Sequence, residues 1–192
     1  MATVNSYTGG MPTPDRTSLQ QIVDAARDIL ERDGLVGLTM QSVADAVGVR
    51  APSLYKRVNG RDELVRLVAE ATLLELTRRV DEGRTAPDLA NALRAFAHER
   101  PAAYHLVFSP DTRVSQELVE ASSAPILRVA HELAGPDDAL EAARTLTAWA
   151  NGFIGMELAG GFNLGGDLER AWDYGLARLV DAIRNTAVAP TE

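Results

Sequence analysis

The stretch from Leu38 to Glu70, LTMQSVADAVGVRAPSLYKRVNGRDELVRLVAE, decides the fold. Two short helical patterns meet there at a glycine. Thr39 is placed to cap the first, which turns Val43, Ala44 and Val47 inward before Gly48 ends it with a residue able to take positive φ. The second opens at Ala51 and Pro52, proline being tolerated in a first turn, and holds Leu54, Tyr55 and Val58 before Asn59 and Gly60 break the chain. A small residue where the helices cross (Ala44), a turn glycine (Gly48) and apolar anchors (Val49, Leu54, Val58) outline a helix-turn-helix. An αα-hairpin used only for packing fits the same pattern.

Upstream, Leu19, Ile22, Val23, Ala26 and Leu30 recur on one helical stripe that Gly34 is expected to stop. Residues 1–15 are polar and aperiodic and read as a disordered tail. Downstream, a helix from about Arg61 to Asp81 begins with Asp62 and Glu63 at its positive end and is apolar on two faces, which predicts packing against both halves of the chain. Further helices are expected at about 87–99, 101–108, 115–134, 137–159 and 167–185, punctuated by Pro101, Pro110, Gly135-Pro136 and two glycine pairs. Nothing alternates with the period of a strand, so the fold class is all-α.

The chain has 192 residues, 46% of them hydrophobic, and no cysteine, which removes disulfides, thiol chemistry and zinc fingers together. Three scattered histidines predict no metal site and no cofactor. No apolar run reaches the roughly 18 residues of a membrane span, and the N-terminus lacks signal-peptide regions. These features predict a soluble, cytoplasmic protein with no membrane partner. No paired catalytic constellation or phosphate-cradling loop is present, so no catalytic residue is expected.

A net charge of −8 argues against nucleic acid, but its distribution does not. Residues 1–80 carry 10 basic and 10 acidic side chains, residues 81–192 carry 9 and 17. Between Val49 and Arg66 the balance is +3, a basic segment on an acidic body.

The run from Leu38 to Glu70 resembles the DNA-binding domain of TetR-family transcriptional regulators, and with the preceding helix the resemblance covers about residues 17–66. It implies a homodimer, an N-terminal three-helix DNA-binding domain (16–62) and a helical C-terminal domain for ligand binding and dimerisation (63–192). Arg57 and Val58 depart from the more frequent histidine and phenylalanine, and Arg61 from lysine. Segments 98–108 and 149–162 are similar to a C-terminal subgroup of the same family.

Site roles follow from position. Arg50, Ala51 and Ser53 open the second short helix, the end that enters the major groove, where an arginine reads guanine O6 and N7; phosphate contact is the alternative for Arg50. Tyr55, as the resemblance implies, reaches phosphate through its hydroxyl, and Lys56, the sole lysine, is placed to do the same. Thr39, Gln41 and Arg61 are expected to clamp the backbone on either side. For the ligand, Tyr104, His105, Phe108, Trp149, Phe153 and Met156 form an aromatic and apolar set with polar tips, although such stripes also make plain core. Small residues Ala143, Ala150, Gly152, Gly155 and Gly175 suggest close helix contact in a symmetric dimer, or within the monomer core. The expected partners are double-stranded operator DNA, a second copy of the chain and an unidentified small molecule. The expected role is a ligand-released repressor; a constitutive regulator or activator, or a helical metabolite-binding protein or enzyme, are the alternatives.

Overall fold

The computed structural model describes residues 17–110 and 112–186; the expected tail at 1–15 lies outside them. Helix α1 (Leu19–Gly37) starts where Ser18 and Gln21 form a reciprocal capping box, each side chain bonding the other's backbone N–H. Its stripe of Ile22, Val23, Ala26, Ile29 and Leu30 is buried. Gly34, at φ 69°, kinks the helix where a stop is expected, and one further turn runs to Gly37.

Helix α2 (Met40–Ala46) is capped by Thr39, and α3 (Ala51–Leu54) follows the turn at Gly48, whose φ of 71° is the left-handed value the sequence requires. Helix α4 (Arg61–Asp81) then runs between the two ends of the molecule, packed on α1, α5, α6 and α7. Leu64, Val68, Ala69 and Leu76 are all buried in one continuous core, as a helix with neighbours on more than one side requires.

Helices α5 (Ala86–Glu99) and α6 (Pro101–Val107) meet at Arg100, and α8 (Leu168–Thr186) closes the chain against α5 and α7. Between them α7 (Gln116–Leu158) takes the place of the two helices expected at 115–134 and 137–159. Its arms join at Gly135, where φ is 80° and Pro136 follows, so the break read from the sequence appears as a kink. Ala130, Ala134, Ala142 and Ala143 pack there in a small cluster of their own. The main core runs without interruption from Ile22 to Val180, across the proposed boundary at residue 62. No strand occurs among the described residues, as the sequence predicts.

Candidate nucleic-acid interface and ligand cavity

Fully buried Val43, Ala44, Leu54 and Val58 pin α2 and α3 to the first domain's core. At the head of α2, Thr39 accepts from Ser42 N at 3.0 Å, and Ser42 Oγ accepts from Thr39 N at 3.0 Å. Val49 N bonds Ala44 O at 3.0 Å across the turn, fixing the angle at which α3 leaves. With the apolar side committed inward, Thr39, Gln41, Arg50, Ser53, Tyr55 and Lys56 are exposed and Ala51 is half-buried. Tyr55 is 54% exposed, its ring only partly packed. Gln41 also donates to Asp45 Oδ1 at 2.7 Å, so its amide is held along α2.

Arg61 is exposed as well, and its guanidinium is held by backbone carbonyls. Its Nε donates to Leu38 O at 2.8 Å and its Nη2 to Leu35 O, so the guanidinium fastens the start of α4 to the chain leaving α1. The physical reason is that the last carbonyls of a helix lack partners of their own, and a nearby arginine satisfies them.

Behind the interface lies an apolar cavity of about 290 Å³. Leu73, Leu76, Thr77 and Val80 of α4 form one wall; Leu89 and Leu93 of α5, Val107 and Phe108 at the end of α6, Ser122, Ser123, Ile126 and Leu146 of α7, and Leu176 of α8 form the rest. Among the described residues no charged side chain lines it. A broader groove shares Phe108, Val119, Ser123, Ile126 and Thr147 with it and adds Tyr104, His105, Arg144 and Asn151.

Of the six expected ligand residues, only Phe108 borders both spaces, and Tyr104 and His105 line the outer groove alone. Tyr104 is buried, its hydroxyl donating to Asn151 Oδ1 at 2.7 Å, and burial pushes its pKa up to about 12, so it stays neutral. Trp149, Phe153 and Met156 line neither space. Instead, Trp149 and Phe153 stack with Trp172 at centroid distances of 4.9 and 5.2 Å, and Met156 is half exposed. The Trp172–Phe153 cluster supports a charged knot: Arg94, only 8% exposed, lies 5.1 Å from the Trp172 ring and forks onto Glu157 at 2.6 and 2.9 Å and Glu169 at 2.7 and 2.8 Å. Large aromatics at helical spacing served packing here, as they most often do. The cavity's own signals were the second apolar face of α4 and the serine pair preceding Pro125 in an apolar helix.

The expected small-residue contact also divides. A Cβ on Gly175 would lie 2.6 Å from Trp149 Cζ2, so this glycine serves close packing inside one chain. Ala143 and Ala150 are buried too, while a Cβ on Gly152 or Gly155 would meet open space.

Two links tie the cavity walls to the interface. Glu31 of α1 accepts from Ala103 N at 2.8 Å and Ala102 N at 3.2 Å, an anion seated at the N-terminus of α6. Arg27 of α1 pairs with Glu75 of α4, which also accepts from Arg79 at 2.6 Å. Burial pushes the Glu75 carboxyl up, but Arg27, Arg79 and Arg100 together outweigh it and hold its pKa below the usual range.

Among the described residues no group of acidic or histidine side chains is arranged to hold a metal ion, and no helix is long and apolar enough to cross a membrane.

Comparison with known proteins agrees with this arrangement. Residues 22–68 match the family model of bacterial regulatory proteins of the tetR family, and residues 87–179 match that of the tetracyclin repressor-like C-terminal domain. An uncharacterised HTH-type transcriptional regulator of Mycobacterium tuberculosis is 28% identical over 160 residues, covering 77% of this chain and 73% of the relative. The class E tetracycline repressor protein of Escherichia coli is 27% identical over 89 residues, covering 46% and 40%. A solved structure of a TetR variant from Acinetobacter baumannii in complex with minocycline superposes with a TM-score of 0.68 at 19% identity, covering 90% of this chain and 99% of that one. With both halves matched in order, around a helix-turn-helix and a helical body, the chain belongs to the TetR family of transcriptional regulators.

Proposed function

We propose that this chain is a small-molecule-responsive repressor that binds a pseudo-palindromic operator as a homodimer and leaves it when a ligand fills the cavity. The observation that carries the reading is the division of α3 and its flanks: Leu54 and Val58 are fully buried while Arg50, Ser53, Tyr55 and Lys56 stand outward on one short segment. Arg50 is the base reader, at the N-terminal end of the recognition helix; Lys56 and the Tyr55 hydroxyl take phosphates. Thr39 and Gln41 address the backbone at the head of α2. Arg61 acts one step back, holding α4 to the end of α1. The resemblance to regulators supports the dimer, which brings two recognition helices to half-sites about 34–36 Å apart.

The switch follows from shared walls. The α4 and α6 surfaces that enclose the cavity are the same helices on which α1 rests through Arg27–Glu75 and Glu31. A ligand that moves those walls changes the separation of the recognition helices, by no more than its differential affinity for the two states, typically about 1–3 kcal/mol.

A mobility-shift assay on DNA flanking the chain's own gene, at stated salt, tests this reading. A discrete complex that outlasts competitor DNA and weakens steeply with salt is the expected result. Binding no tighter than to random DNA would refute the regulator assignment at that site. A specific complex unaffected by every cavity ligand that binds the protein would leave a constitutive regulator.

A further inference from the structure

The inner cavity is chemically one-sided. Among the described residues its four polar lining side chains are hydroxyls, and two of them are already used: Thr77 Oγ1 donates to Leu73 O at 2.7 Å and Ser123 Oγ to Val119 O at 2.8 Å. Thr147 is exposed and can bond water. Ser122 is different. Its Oγ is buried and has no hydrogen-bond partner among the described residues. A buried hydroxyl left unpaired is costly, and because Ser122 lines the cavity a turn of its side chain about χ1 would bring that hydroxyl to the space.

From the cavity chemistry we propose that this space selects an uncharged, largely apolar molecule carrying one hydroxyl or carbonyl oxygen that pairs with Ser122. The proposal rests on the regulator reading above and names the class of its ligand. Size follows from volume: at roughly 30 Å³ for a water-sized group, 290 Å³ holds about ten non-hydrogen atoms. Charge is excluded by the walls. A carboxylate or ammonium placed among Leu76, Leu89, Leu93 and Ile126 would lose its hydration with no opposite charge among the described lining residues to replace it. Phe108 and Val119, 44% and 39% exposed, stand between this space and the outer groove and mark the way in.

Calorimetric titration of the full chain with 1-naphthol, naphthalene and 1-naphthoate tests the class, since the three share one skeleton and differ in the polar group. A further probe, 1-naphthamide, equal to 1-naphthoate in non-hydrogen atoms but uncharged and expected to bind more tightly than it, separates charge from size. The expected result is saturable binding of 1-naphthol, with 1-naphthoate at least about a hundredfold weaker. Ser122→Ala should weaken 1-naphthol by about two- to tenfold, the range of one net hydrogen bond, and leave naphthalene unchanged. The same variant, relieved of an unpaired hydroxyl, should melt about 2–4 °C higher without ligand. Ser122→Cys, which keeps the volume and weakens the bond, should fall between the wild type and Ser122→Ala in 1-naphthol affinity.

Three results overturn the proposal: 1-naphthoate binding as tightly as 1-naphthol, no binding of any of the three, or an equal loss of 1-naphthol and naphthalene in Ser122→Ala. A mobility-shift measurement on the same preparations keeps the two readings apart. Intact operator binding beside a failed titration rejects only the ligand class, whereas absent operator binding rejects the regulator reading whatever the calorimeter shows.

Discussion

Replacing Arg94 by methionine removes the cation that joins α5, α7 and α8. Glu157, with a side chain 9% exposed, then loses a bidentate partner at 2.6 and 2.9 Å, whereas Glu169 is 75% exposed and is rehydrated at little cost. Breaking a buried pair by deleting one partner costs about 3–5 kcal/mol, because the remaining charge is stranded. His98, 3.0 Å from Glu157, stays in place and draws the value to the lower end. A loss of about 3 kcal/mol lowers Tm by roughly 6–12 °C in a chain of this length. Replacing Glu157 by methionine as well should restore most of it, since a whole ion pair exchanged for apolar side chains is often close to neutral.

The pH dependence carries a sign that can be checked. In the wild type the Arg94 hydrogen bonds hold the Glu157 pKa below the usual carboxylate range, against burial. Its contribution is therefore complete above the unfolded value, about 4.3, and is lost as pH falls through the lower folded value. In Arg94→Met burial acts with only His98 opposing it, so the folded pKa rises and acid relieves the defect. Chemical denaturation at pH 7 and near pH 4.5 should show the gap between variant and wild type narrowing. A gap below about 1 kcal/mol at pH 7, or one that widens in acid, refutes the reasoning.

Three other substitutions address separate links. Gly175→Leu pushes a side chain into Trp149, 2.6 Å from the position of its Cβ, and should cost about 1–3 kcal/mol of stability with the dimer intact by sedimentation; a stable variant that runs as a monomer would place this glycine between protomers. Lys56→Ala should weaken specific and random DNA alike, while Arg50→Ala should cost about 1–3 kcal/mol on the operator and relax preference at one base position; equal losses in titrations on both DNAs would make Arg50 a phosphate contact. Glu31→Gln weakens the anion at the α6 N-terminus, by about 0.3–1 kcal/mol in stability, and should reduce the effect of ligand on operator affinity more than operator affinity itself; unchanged coupling in paired DNA titrations would remove Glu31 from the switch.

Much of the fold was legible because its punctuation is local. Thr39 as a cap, Gly48 at positive φ, Pro52 in a first turn and the Gly135-Pro136 break each depend on the residue itself and its neighbours. The outward set around Arg50 to Lys56 was legible for the same reason, since the buried positions of α3 leave it no other side. The partner of Arg61 was not, because Leu35 and Leu38 are brought to it only by the crossing of α4 over the end of α1. The cavity was less legible still. Its walls come from five helices, and a helical stripe does not say whether it faces a neighbour or a space. Trp149 and Phe153 looked like ligand contacts by residue type, yet the buried Arg94, distant in sequence, draws Phe153 and Trp172 into a packed knot with Trp149 beside them.

The central claim is that α3 reads DNA sequence, and selection from a random double-stranded library, followed by titration of the enriched site, tests it most directly. The account predicts an enriched pseudo-palindrome with half-sites about one helical turn apart, bound at least about 10³-fold tighter than random DNA, with two or more protomers per site and enrichment of one guanine lost in Arg50→Ala. A library that emerges unenriched, or an enriched site whose preference is untouched by Arg50→Ala, Ser53→Ala and Tyr55→Phe together, would contradict it.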